Sequence, residues 1–274
     1  MLEELCERVR EASFVVTFNG KSFDWPLLLT RLVLNRLPRP KDPLHLDLLH
    51  CARRVYKRRL KEVRLVRLER ELLGMYRTGD IDGHEIPEVY WSYVRGAGTT
   101  AMDSVVEHNT NDVIALASLM GVLTTRYREV GTDDEPADYL GYAWVAMRAK
   151  DHERALSFSR AAAAAGGSLD VTVEACLLAA RLLVARGEVH AARVQLEDGL
   201  VHGKADDEVV AALHLALAKL FEHRLKDFDR AREHADLSRG AESSDAFERR
   251  RARLDRTRAR ATASQELPPS TARA

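Results

Sequence analysis

Cysteine is scarce in this chain: its 274 residues include only Cys6, Cys51 and Cys176, scattered without CxxC spacing. That argues against a disulfide framework and a cysteine-based zinc site, and a reducing cytoplasm is the expected location. Long apolar runs are missing too. None approaches the ~18 residues of a membrane span, and Met1-Leu-Glu-Glu-Leu5 is too acidic for a signal peptide. Net charge is absent, with 42 basic against 42 acidic residues, so any nucleic-acid contact must come from local charge. What remains is an ordinary globular composition, 46% hydrophobic and 31% charged. Its length suits one large domain or two ordinary ones, each burying its own core.

The patterning changes along the chain. Residues 1–12 read as an acidic amphipathic helix, with Leu2, Leu5, Cys6 and Val9 at helical spacing. A strand over 13–18, a helix over 25–36 and a turn at Pro38, Pro40 and Pro43 follow. Leu44-His-Leu-Asp-Leu-Leu49 is then a second buried strand, crossed by His45 and Asp47. Helical patterning over 50–74 ends at Gly74, a C-cap; residues 77–88 form a loop. Further helices cover 86–95 and 99–129, the latter broken near Asp103. This alternation makes residues 1–130 an α/β domain.

Gly131-Thr-Asp-Asp-Glu-Pro136 reads as a linker. Across 137–261 no strand pattern remains and alanine dominates, which predicts an all-α domain of seven helices paired into hairpins. Three second-helix openings recur, at Asp151, Gly187 and Lys226. Their alanines 155, 191 and 231 lie 36 and 40 residues apart, close to the tetratricopeptide period of about 34. An unrelated helical bundle would permit the same alanines. Residues 262–274 are expected to be disordered.

Two segments carry chemistry. Phe14-Val-Val-Thr-Phe-Asn-Gly-Lys-Ser-Phe-Asp-Trp-Pro26 is a strand that breaks at Asn19-Gly20 and delivers Asp24 at the head of the next helix. Asp24 is then a helix N-cap before Trp25-Pro26, a metal-ligating carboxylate at an open sheet edge, or both. Trp25 and Phe23 are assigned to core packing. His108-Asn-Thr-Asn-Asp112 places His108 and Asp112 four residues apart on one helix face. Such a pair is a metal ligand beside an acid–base group, or a surface hydrogen bond. Asp47, at a strand end, is a lesser candidate for supporting the site.

Arg53–Arg70 holds nine Lys and Arg residues against Glu62 and Glu69. Lys57-Arg58-Arg59, with Arg53 and Arg54, can grip phosphates while Tyr56 stacks a base; the alternative is a solvated helix face. Arg249, Arg250, Arg251 and Arg253 form a second basic patch, read as solvated.

The span from Phe14 to Leu119 resembles the YprB-type ribonuclease-H-like exonuclease family. Thr17-Phe-Asn-Gly-Lys-Ser-Phe-Asp-Trp-Pro26, His45-Leu-Asp-Leu-Leu-His50 and Arg53-Arg54 with Lys57-Arg58-Arg59 carry the likeness. It continues through Leu68-Glu-Arg-Glu-Leu-Leu-Gly74, Ile81-Asp-Gly-His-Glu-Ile-Pro87 with Tyr90, and His108 with Asp112. Leu217–Phe228 resembles the helical region accompanying that family. The resemblance implies a divalent-metal-dependent 3′–5′ exonuclease acting at a single-stranded end, with Mg²⁺ or Mn²⁺ in a two-metal site. It makes Asp24 and Asp112 metal ligands and His108 the general base. Asn19, Lys21, Arg53, Arg54, Lys57, Arg58 and Arg59 become nucleic-acid contacts. The gap between His108 and Asp112 follows the family's Tyr-type spacing, one residue shorter than its His type.

One departure matters. The family's Asp-x-Glu strand should precede Phe14, and the thirteen residues there contain none. The expectation is an incomplete ribonuclease-H-like domain lacking its first strands, impaired in catalysis and followed by helical repeats. The rival expectation is a non-catalytic scaffold that contacts nucleic acid and holds a protein partner on its repeats.

Overall fold

The computed structural model describes residues 1–131, 134–203 and 208–265, the last five by backbone alone. The chain divides into two compact units, Met1–Gly131 and Thr132–Ala274.

The first unit opens with α1 (Leu2–Glu11), then β1 (Val15–Thr17), α2 (Asp24–Leu34) and β2 (His45–Asp47). The two strands are parallel, Val15, Val16 and Thr17 facing His45, Leu46 and Asp47. Parallel pairing needs a crossover, which α2 supplies. Gly20 is required at the turn after β1: an added Cβ would lie 2.6 Å from Thr17 Cβ. Asp47 locks that turn. Its carboxylate accepts from the backbone N–H of Asn19 (2.8 Å) and Lys21 (3.1 Å), and from Leu49 (3.1 Å) as the N-cap of α3. Asp47 is therefore a structural staple.

Helix α3 (Leu48–Leu60) buries Leu48, Leu49, Ala52, Val55, Tyr56 and Leu60 at helical spacing and packs on α6 (Thr100–Arg128). The helix expected over 50–74 is interrupted, because Lys61 takes a positive φ (62°) with ψ −57° and ends α3. Beyond it, α4 (Leu65–Leu68) continues as a π turn over Glu69–Leu73 and ends at left-handed Gly74. A loop leads to α5 (Ile86–Val94). Helix α6 then runs unbroken through Asp103 for 29 residues. Phe23, assigned to the core, is 60% exposed, since no second layer covers that side of the turn among the described residues. Trp25 is half-buried, with its ring edge on His45 and Nε1 3.3 Å from Asp42.

Among the described residues, the elements of the second unit are helical: α7 (Pro136–Arg148), α8 (His152–Ala164), α9 (Leu169–Ala185), α10 (Val189–Leu200), α11 (Ala211–Leu220), α12 (Phe228–Leu237) and α13 (Ser244–Gln265). Each packs on the next, and α9 also touches α7 and α11. One turn recurs. Lys150, Gly187 and Lys226 are left-handed, and each precedes an N-cap, Asp151, Glu188 and Asp227. Four residues past each cap sits a fully buried alanine: Ala155, Ala192 and Ala231. The repeat register is therefore set by the left-handed residue. It selects Ala192 in place of Ala191, with spacings of 37 and 39.

A π turn (Phe221–Leu225) extends α11. Its Glu222 receives Arg253 (2.6 and 2.9 Å) and Arg250 (3.4 Å), and Arg250 also grips Glu242 (2.9 Å). The second basic patch is thus partly ion-paired into the fold. Helix α13 reaches Gln265, past the expected start of the tail; residues 266–274 lie outside the described residues, as do Thr132 and Asp133 of the expected linker.

Candidate active site

Residues Leu65, Leu68, Glu69 and Leu72 share one helical stripe, which puts a charge where apolar packing belongs. Glu69 is fully buried, and a buried carboxylate needs a partner. The partner is Arg77, brought back by the left-handed turn at Gly74. Its Nε donates to Glu69 Oε2 at 2.7 Å, and Nη2 donates to Glu69 Oε1. The same Nη2 donates to Asp112 Oδ1 at 2.6 Å, and Nη1 donates to Asp80 Oδ2 at 2.9 Å. One guanidinium, 7% exposed, thus joins three carboxylates from the π turn, the loop and α6. Glu69 foremost, then Asp112 and Asp80, hold the Arg77 guanidinium above its ordinary pKa.

His108 stands beside this cluster on α6. Its Nδ1 lies 2.9 and 3.0 Å from the two oxygens of Asp80. Facing a carboxylate, Nδ1 carries the proton and leaves a lone pair on Nε2. That Nε2 is 3.6 Å from Asp112 Oδ2, the oxygen Arg77 does not engage. Burial disfavours the charged form of Asp80, but hydrogen bonds from Arg77 and His108 outweigh it and keep its carboxyl below the usual range. A cleft of about 230 Å³ adjoins, lined by Tyr76, Arg77, Asp80, Glu107 and Asn111 among others. The arrangement can hold an imidazole as a proton acceptor next to a half-exposed carboxylate oxygen.

His108 and Asp112 are thereby brought together. Asp24 is not among the groups meeting at Arg77. It is the first residue of α2, exposed, and no side-chain cap bond starts that helix. The capping reading of Asp24 is corrected: the chain enters α2 through Phe23, and a backbone bond from Trp25 to Gly20 (2.8 Å) closes the first turn instead.

Arg53, Arg54 and Lys57 are exposed on α3, whereas Arg58 and Arg59 are half-buried. Tyr56 is fully buried, with the Arg59 guanidinium 6.0 Å from its ring centre, so it has no face for a base to stack on. It falls on the apolar stripe that meets α6. Asn19, left-handed at φ 66°, and Lys21 have exposed side chains while their backbones serve Asp47.

Sequence reasoning missed Glu69, Arg77 and Asp80. Only Glu69 carried a signal, a charge on an apolar stripe; Arg77 and Asp80 lie in an irregular loop with no periodicity. Among the described residues, no group of three or more His, Cys, Asp or Glu side chains is arranged to hold a metal ion. No helix there is long and apolar enough to cross a membrane.

The comparisons with known proteins bear on the first unit. A protein of Bacillus subtilis (strain 168) named "Uncharacterized protein YprB" is 40% identical over 107 residues, 38% of this chain. The chain spans about a quarter (26%) of the length of that relative. No solved structure matches. A family profile described as the RNase_H superfamily covers residues 1–124. Residues 1–124 are therefore a ribonuclease H superfamily domain of the YprB type.

Proposed function

We propose that the first unit is a 3′–5′ exonuclease-type domain acting on nucleic-acid phosphodiesters, and that this chain is impaired in the chemistry. The observation that carries the reading is the His108–Asp112 pair, with Asp80 behind the imidazole, inside a ribonuclease H superfamily domain. Nε2 of His108 takes the proton of an attacking water, and the Asp80 carboxylate steadies the resulting imidazolium. Exposed Arg53, Arg54 and Lys57, with Asn19 and Lys21, are the phosphate contacts in this reading.

Mg²⁺ or Mn²⁺ supplies charge stabilisation in the superfamily's reaction. The described residues do not fit a complete metal site. Asp24 and Asp112 are carboxylates of the required kind, but no third joins them, and Arg77 occupies one oxygen of Asp112. The hold of Arg77 on Asp112, with no third carboxylate beside the pair Asp24 and Asp112 among the described residues, supports weak turnover alongside intact binding.

The test is degradation of 3′-labelled single-stranded DNA and RNA with Mg²⁺ or Mn²⁺, alongside binding of the same oligonucleotides against salt. Expected are slow cleavage, lost in Asp112→Asn, and a log–log salt slope that falls by about 0.7 for each of Arg53, Arg54 and Lys57 changed to Gln. Salt-independent binding, or cleavage indifferent to Asp112→Asn, sinks the reading.

A second reading, a protein-interaction scaffold on tetratricopeptide-like repeats, is favoured by a cleft of about 400 Å³ in the second unit. Leu177, Val184 and Leu196 give it an apolar floor, and Arg181, Lys219 and Arg224 line it as exposed cations. An acidic amphipathic peptide suits that chemistry. Such a peptide binding no better than its basic counterpart dismisses this reading.

A further inference from the structure

A guanidinium has five N–H donors in one plane, and Arg77 spends four of them on three carboxylates. Two are anchored on Glu69, which is itself fixed by complete burial in the π turn. The other two reach out, one to Asp112 and one to Asp80, and Asp80 in turn receives His108 Nδ1. Asp112 is the most exposed of the set at 40%, and from the neighbouring turn of α6 it meets His108 Nε2 at 3.6 Å, a longer contact than the 2.6 Å to Arg77. We infer that Arg77 is the positioning residue of the Asp112–His108 pair, transmitting the fixed geometry of Glu69 to both.

The role follows from electrostatics as well as from geometry. Glu69, Asp80 and Asp112 without a cation between them would repel one another. With Arg77 in the centre, each gives one or two oxygens to the guanidinium, and Asp112 keeps Oδ2 beside His108 Nε2. A lysine has three donors on one tetrahedral atom and cannot make this planar set of contacts. Arg77 lies 31 residues from His108 and 35 from Asp112 in sequence, so its hold on the pair is a tertiary contact. Its own Nη1 is 3.4 Å from His108 Nδ1, but both are donors, and Asp80 between them accepts from each. What the pair does rests on the nuclease-type reading; what holds it does not.

The experiment uses the whole chain with ¹⁵N-labelled histidine, at a pH where imidazole is neutral, and reads the His108 ring nitrogens, assigned by their loss in His108→Asn. Wild type is expected to show one tautomer with the proton on Nδ1. In Arg77→Lys the two tautomers should mix. In Arg77→Ala they should mix as well, and added ethylguanidinium, entering by the adjoining cleft, should restore the single form. If Arg77→Ala does not fold, Glu69→Met with Arg77→Met removes the guanidinium without leaving a buried charge, and mixing is expected there too. A single Nδ1–H tautomer retained in every folded variant overturns the inference. Cleavage of 3′-labelled single-stranded DNA and RNA by the same samples separates the two readings. Turnover indifferent to Asp112→Asn, with the Arg77 dependence intact, counts against the nuclease reading alone.

Discussion

Helix α9 and helix α6 show how differently the two units are closed. The 17 residues of α9 bury ten side chains, while the 29 of α6 bury only Ala115, Leu119 and Leu123. Helix α5 buries none, and Tyr90, Trp91, Tyr93 and Val94 are exposed on it. A helical array covers each apolar face with the next hairpin in sequence, so local order suffices to close its core. A sheet is closed only by strands and helices from elsewhere in the chain, and β1 and β2 have just each other among the described residues. The first unit compensates with polar devices, the Asp47 staple and the Arg77–Glu69 pair. The second rests on buried apolar helix faces, with the Glu222–Arg250–Arg253 ion pairs beside them.

The largest effect that would sharpen this contrast is in the array. Phe158 is fully buried, stacked on Tyr142 at 5.2 Å and beside Tyr139 at 6.4 Å. Phe158→Ala should cost about 3–5 kcal/mol in the unfolding transition of the second unit, measured in urea. Next comes the polar device of the first unit. Glu69→Ala leaves Arg77 buried with weaker partners, and a loss of about 3 kcal/mol is expected, followed by hydrogen exchange in α4 and α6. A cost under about 0.5 kcal/mol would mean that the pair is no support for that unit.

Acid should act on the second unit through His214 and His234, whose Nδ1 atoms lie 2.9 Å apart, His234 also stacked on Phe221. Burial, then the neighbouring histidine, holds His214 below the ordinary 6.5; burial, then Arg230, does the same for His234. Because the folded values are depressed, the unfolded chain binds protons first. Stability is full above pH 6.5 and falls as pH drops below it towards the lowered values. His234→Phe should flatten that slope in thermal melts at stepped pH; an unchanged slope would place the acid sensitivity elsewhere. The smallest effect is expected at the exposed helix: Trp91→Ala should change stability within about 0.5 kcal/mol. A cost near that of Phe158→Ala would break the comparison, because α5 would then belong to a core.

How much could be read beforehand differs by the same logic. The start of α7 at Pro136, the C-cap at Gly74 and the helical hairpins follow from caps and periodicity, which act over a few residues. Where the register needed the left-handed residue, alanine spacing alone chose Ala191 over Ala192. Phe23 and Tyr56 were misjudged in opposite directions, one exposed and one buried, because burial depends on which face of the unit is covered. The pairing of Arg250 and Arg253 with Glu222 crosses about one helix pair and left no trace in composition.

For the site, the sequence by itself determined that His108 and Asp112 share a face, since four residues are one turn of a helix. It also determined that Asp24 heads α2, because Asn19-Gly20 must turn and Pro26 must lie in a first helical turn. Only the tertiary structure decided that Asp112 is tied to Arg77, that Asp80 stands behind His108, and that Asp47 is spent on the backbone. Those contacts join groups 26 to 35 residues apart, and no spacing rule reaches that far. They exist because a buried carboxylate and a buried guanidinium must find each other once α4, the loop and α6 pack together.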